Sequence, residues 1–161
     1  MRLLQLLCDG HFSACQNLLR HQPNRTNSVN LVDAAAQFFM GLCVSGIALH
    51  RMEALEVRTA VDALELLTEC VQGPCAGNQE RLVSYDGFVA AADGFVQAKF
   101  HRRVPVTLRL EAKAAGLLLL SSLVEGRANL AVHLRLAHEV EPAELALVKD
   151  YASHMLAKAR P

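Results

Sequence analysis

Tryptophan is absent from this sequence, and aromatic residues of all kinds occupy only 5% of its 161 positions. β-Sandwiches and barrels draw heavily on aromatic and β-branched side chains, so the shortage argues against them. Net charge is missing too: Lys plus Arg and Asp plus Glu each number 16. Nucleic-acid binding needs a clustered basic surface, and this balance offers none. Long apolar runs are also lacking. The longest, Ala114 to Leu120, falls far short of the ~20 residues that span a bilayer, so a soluble segment without membrane insertion is expected. The opening Arg2-Leu3-Leu4-Gln5-Leu6-Leu7 is too short and too interrupted for a secretion signal. Five cysteines at irregular spacing make no disulfide framework and predict reduced thiols. Cys70 and Cys75 are spaced C-x4-C, but no second pair follows at zinc-finger spacing. No nucleophile elbow or phosphate-binding glycine loop occurs, and an enzyme is not expected.

What remains is a chain that is 52% apolar, rich in Leu and Ala, and long enough to bury a core. Its periodicity is helical. Leu3 to Leu7 form a helix of one or two turns, ending around Cys8-Asp9-Gly10. A second follows, with Phe12, Cys15, Leu18 and Leu19 expected on its buried face. After the loop from His21 to Asn27, Asn27 or Ser28 can cap a third helix lined by Leu31, Ala35, Phe38, Phe39 and Leu42. Gly41 and Gly46 predict a fray or bend before His50. A long amphipathic helix begins near Glu53. Val57, Val61, Leu64 and Val71 line one face of it, and Arg58, Asp62, Glu65, Glu69 and Gln72 the other. Gly73 supplies a left-handed stop and Pro74 forbids continuation.

Beyond that stop, Asn78 can cap a short helix through Leu82 and Val83. Asp86 can cap another, with Phe88, Ala91, Ala92, Phe95 and Ala98 inward. His101-Arg102-Arg103 forms a solvated corner or, alternatively, a contact for an anionic partner. The helix from Thr107 to Glu125 has no fully polar face, because Leu117, Leu118, Leu119 and Leu120 run in succession. It is expected in the middle of the fold, with Leu118 or Leu119 buried in it. Ser121 and Ser122 are read as partners of backbone carbonyls. Leu130, Leu134, Leu136 and Ala137 belong to an eighth helix, and Pro142 opens a ninth bearing Leu145, Val148, Ala152 and Leu156. About eight or nine antiparallel helices make an all-α fold, either an armadillo/HEAT-like α-solenoid segment or a compact bundle.

One stretch is specific. Thr68-Glu69-Cys70-Val71-Gln72-Gly73-Pro74-Cys75, followed by Asn78-Gln79, resembles the TEY-x-QGPC-x-x-NQ segment of the RIH-associated domain of inositol trisphosphate and ryanodine receptors. Cys70 stands where that segment has Tyr. The first 32 residues resemble the family's LLQLLC-E-x-H opening and its N-x-T and NLV continuation, and Leu123-Val124-Glu125-Gly126 resembles its LLEG. The match continues from Glu141 to Tyr151, and is poor between Gly41 and Glu56 and in the linker from Gln97 to Pro105. The resemblance favours the armadillo-like reading. It implies one RIH-associated-like helical domain over 1–161, cut from a calcium-release channel whose ligand-binding core and pore lie elsewhere.

The resemblance also implies a site. In such channels, acidic residues of this domain help to hold an activating calcium ion, and the matching positions are Asp9 and Glu69, with His11 and Gln72 in support. Calcium prefers carboxylate and carbonyl oxygens, and two carboxylates from separate helix ends can converge on it without an EF-hand loop. His11 suits an orienting role better than direct ligation. Asp9 is one methylene shorter than the family's Glu, and it has an alternative role as cap of the second helix. The family completes the site with a backbone carbonyl from the pore-proximal C-terminal region, so this segment alone should bind calcium weakly or not at all. The implied partners are the other domains and subunits of a homotetramer on the cytosolic side of an endoplasmic reticulum-like membrane. A helical scaffold without metal is the alternative. Under the calcium reading, Asp9 and Glu69 should face each other across the helix junction with carboxylates within about 10 Å, since calcium–oxygen distances near 2.3–2.6 Å must fit between them.

Overall fold

The computed structural model describes residues 1–44, 49–126 and 130–140, and among these there are helices and turns but no strand. In order they are α1 (Arg2–Cys8), α2 (Ser13–Arg20), α3 (Leu31–Val44), a 3-10 turn (Leu49–Arg51), α4 (Ala54–Val71), α5 (Ala76–Ser84), α6 (Phe88–Gln97), α7 (Val106–Ser122) and α8 (Leu130–Glu139). The ninth helix expected from Pro142 onward and the bend expected around Gly46 lie outside the described residues.

α4 is the axis of the fold. Its start is fixed by a reciprocal capping box: Glu53 receives the Glu56 backbone N–H and donates its own backbone N–H to Glu56 Oε2 at 2.8 Å. Val57, Val61, Leu64 and Val71 are all fully buried, as their spacing predicts. α4 packs most extensively on α7, with α3 against it as well and α1 and α2 closing one end. From α1 to α7 each helix also packs on the next in sequence, the neighbour-on-neighbour pattern of a stacked helical array. A row of edge-on rings, Phe39–Phe95 at 5.5 Å and Phe95–Phe100 at 5.2 Å between centroids, ties α3 to α6 and the segment after it. On α7, Gly116 gives α6 room. A Cβ there would stand 2.4 Å from Val96 Cγ2.

Several expectations need correction. Leu117 and Leu118 are 37% and 50% exposed, and only Leu119 and Leu120 of that run are buried. Among the described residues α7 packs chiefly on α4 and α6, and four consecutive leucines on one helix cannot all point inward. Phe12 and Leu18 are 58% and 50% exposed; α2 buries Leu19, as expected, and with it Gln16. Phe38 is also exposed, whereas Phe39 is fully buried. Asn27 and Ser28 do not cap α3. Asn30 Oδ1 accepts the Asp33 N–H at 3.0 Å, three residues into the turn. Asp86 does not cap α6, whose N-cap is Gly87 at φ 73. Asn78 lies inside α5 and is fully buried. The serines behave as read: Ser121 Oγ and Ser122 Oγ donate to Leu118 O at 2.8 and 2.7 Å.

Candidate functional site

The end of α4 and the Gly-Pro turn after it form a junction for four other segments. Gly73 adopts φ 80, the left-handed conformation its position in the sequence predicts. A side chain there would collide with His11, whose Cβ lies 2.3 Å from the position a Gly73 Cβ would take. His11 is itself left-handed at φ 60, which is uncommon for a residue other than glycine. Pro74 is packed by Gly126, also left-handed at φ 64, where a Cβ would come within 2.6 Å of Pro74 Cγ. Gly77 lies under the Arg20 guanidinium.

A helix ends with carbonyls that have no partner inside it, and buried ones must be satisfied elsewhere. Three fully buried amides do this here. Gln16 Nε2 of α2 donates to Glu69 O at 2.7 Å and to Gln72 O at 2.8 Å, closing the end of α4. Asn78 Nδ2 donates to Cys70 O at 2.8 Å and to Gln16 O at 2.9 Å, while its Oδ1 accepts from Arg20 Nε at 2.8 Å. Gln79 Nε2 donates to Ser122 O at 2.8 Å and Glu125 O at 2.9 Å, closing α7. The Asn-Gln pair of the motif thus joins α2, α4, α5 and α7 in one polar lattice. The sequence suggests a cap role for Asn78 and none for Gln16, Arg20 or Gln79. Their signal was available: polar residues at positions where helical spacing calls for a buried side chain.

Beside this lattice lies a cavity of about 330 Å³. Its walls carry Asp9 at the end of α1, Glu65, Thr68, Glu69 and Gln72 of α4, and Arg2 and Gln5 of α1. Of the four residues singled out in the sequence, Asp9, Glu69 and Gln72 line this one space. His11 does not; it packs on Gly73 at the adjacent turn. Asp9 is not the cap of α2, whose N-cap is Phe12 without a side-chain bond. Instead, Asp9 Oδ1 accepts the Gly10 N–H at 2.9 Å. Glu65 adds a third carboxylate to the cavity wall and accepts from Gln5 Nε2 at 3.3 Å. Arg2 places a cation on the same wall.

The donors suit a hard cation, since they are carboxylates and an amide oxygen. Their number is too small. Calcium takes roughly 6–8 oxygens, and among the described residues no three His, Cys, Asp or Glu side chains converge closely enough to hold a metal. A second segment would have to complete the shell.

Comparison with known proteins agrees with the motif. Residues 1–95 match the family described as RyR and IP3R Homology associated. The inositol 1,4,5-trisphosphate receptor itr-1 of Caenorhabditis elegans is 37% identical over 91 residues, covering 51% of this chain and 3% of that receptor. The chain therefore corresponds to a small fraction of the length of the relative it matches. No described helix is long and apolar enough to cross a membrane. With the family matched across more than half its length, this chain belongs to the RyR and IP3R Homology associated family, a family of channel-receptor domains and not of enzymes.

Proposed function

We propose that this chain is a regulatory module of an intracellular calcium-release channel, in which Asp9 and Glu69 contribute carboxylates to an activating calcium site. The observation that supports this is the convergence of Asp9, Glu69 and Gln72, from the ends of two helices, on one cavity. Gln72 supports the site through its amide, and His11 steadies the turn after α1 by packing on Gly73. A carbonyl from the pore-proximal C-terminal region of the channel closes the shell, and calcium alone is bound weakly. Bound calcium would draw α1 towards the end of α4, two elements whose relative position the Gln16 lattice transmits to α5 and α7. We propose further that 1–161 forms a single domain within a homotetramer on the cytosolic side of an endoplasmic reticulum-like membrane, in contact with other channel domains. In support, α7 and α8, beyond the matched residues, pack on α4, α5 and α6 within them.

A structural scaffold without metal is the second reading, and the amide lattice favours it. Gln16, Asn78 and Gln79 give much of the motif a purely architectural purpose. The Glu69→Gln substitution in a full-length channel carrying this segment separates the two. The calcium reading expects activation at higher calcium concentration with the domain still folded. Channel opening at the parent's calcium concentration would leave the scaffold reading standing alone.

A further inference from the structure

The loop between α2 and α3 lines neither the cavity nor the amide lattice, yet one of its side chains holds it together. Ser28 is exposed, and its Oγ accepts the Gln22 backbone N–H at 3.0 Å. The hydroxyl hydrogen has two acceptors in reach, Gln22 Oε1 at 3.1 Å and His21 Nδ1 at 3.3 Å. Gln22 Oε1 also accepts the Val29 N–H at 2.7 Å, and Gln22 Nε2 donates back to Leu18 O in the last turn of α2. Ser28 is thus a clasp between the end of α2 and the approach to α3.

Two serines of the chain have an arginine three residues before them, Ser28 after Arg25 and Ser84 after Arg81. A kinase that selects its substrate by charge must reach that guanidinium and draw the serine, free of regular structure, into its cleft. Ser84 offers neither. It is the last residue of α5, and Arg81 is held by both oxygens of Asp33 and stacked on Tyr85 at 5.4 Å. Ser28 offers both. It lies outside any helix, and Arg25 is exposed, with only its backbone N–H engaged among the described residues, by Gln22 O at 3.2 Å.

We propose that Ser28 is a phosphorylation site for an arginine-directed serine/threonine kinase, and that its phosphate fastens the end of α2 to the start of α3. Ser28 Oγ attacks the γ-phosphorus of ATP. The Oγ–P bond forms, the bond from that phosphorus to the bridging oxygen breaks, ADP leaves, and the kinase's base takes the hydroxyl proton. The product brings about −1.5 to −2 of charge and three acceptor oxygens. Its hydrogen bond to Gln22 Oε1 is lost with the hydroxyl hydrogen. In exchange the loop offers the Gln22 N–H, His21 and Arg25, and α3 begins three residues on, at Leu31. The first N–H groups of a helix lack partners inside it and favour an anion. Asp33, the acid already in that turn, is engaged by Arg81 at 2.6 Å. Charge-assisted bonds are roughly twice as strong as the neutral one given up, so the clasp tightens. None of this depends on calcium at the cavity, and the two readings fail separately.

The test incubates the folded 161-residue chain with magnesium ATP and a purified kinase that selects arginine three residues before serine. Peptide mass mapping should place one phosphate on Ser28 and leave Ser84 unmodified. Ser28→Ala should abolish the modification, and Arg25→Gln should slow it by about tenfold or more, with the helical circular dichroism of both variants unchanged. Amide hydrogen exchange over residues 21–33 should slow once the phosphate is on. Phosphate on Thr26 or Ser84 in place of Ser28 overturns the proposal. So does modification of the unfolded chain alone, an Arg25→Gln rate equal to the parent's, or exchange over 21–33 that quickens on phosphorylation.

Discussion

Single amides decide how the helix ends of this protein meet. Gln16 directs both hydrogens of its side-chain amide at the end of α4, and its Oε1 finds no partner among the described residues. Gln79 makes the same arrangement at the end of α7. One unpartnered oxygen is tolerated because two buried carbonyls would otherwise be stranded. Gln16→Leu keeps the volume and removes both donors, so it should lower stability by about 1–3 kcal/mol in urea unfolding. An unchanged midpoint would mean that water reaches those carbonyls. Asp9 and Glu69 lack this buried, fully engaged character: Asp9 is exposed and Glu69 half-buried.

At the scale of the element, α7 shows how much a neighbour decides. Leu118 and Leu119 are adjacent and chemically identical, yet one is 50% exposed and the other fully buried. Leu119→Ala should therefore cost roughly 2–5 kcal/mol, while Leu118→Ala should stay within about 0.5 kcal/mol, both read from denaturant midpoints. Lys113 is the unexpected member of the buried face. Its Nζ donates to Val96 O at 2.5 Å and Ala98 O at 3.0 Å, closing the end of α6. Burial lowers its pKa below the ordinary lysine value. The unfolded chain, with an ordinary lysine, then holds more protons than the folded one in the window between the two values. Stability should accordingly rise with pH through that window, which closes near the unperturbed value of about 10.4. In Lys113→Met this alkaline rise should disappear; a rise of equal size in the variant would assign it to another group.

For the molecule as a whole, the family match ends before α7 begins, but the packing does not. α4 has its most extensive contact with α7, and α6 packs there as well. A chain cut after residue 95 should expose the α7-facing sides of both helices and lose its cooperative thermal transition, while the 161-residue chain keeps one. A sharp two-state melt in the shortened chain would show that the matched region folds alone. Leu6 of α1 and Leu118 of α7, both exposed, line the candidate cation cavity beside its polar residues.

Composition and periodicity by themselves determined that this protein is helical, where most of its helices lie, and that α4 stops at Gly73. Those features depend on local conformational preference and on spacing along one helix, and both are written in consecutive residues. The Thr-Glu to Asn-Gln motif likewise singled out the junction, and with it Glu69 and Gln72. Only the tertiary structure decided which face of an apolar helix is covered, because that depends on where its neighbours stand: hence Leu118 outward, Phe12 and Leu18 exposed, and Gln16 within. It alone converted Asn78 from a cap into a buried bridge between α2 and α4, and separated His11 from the cavity that Asp9 and Glu69 share. Each of these outcomes joins residues more than 50 positions apart or rests on a backbone turned left-handed by its packing. Spacing within a single element holds no record of such long-range choices.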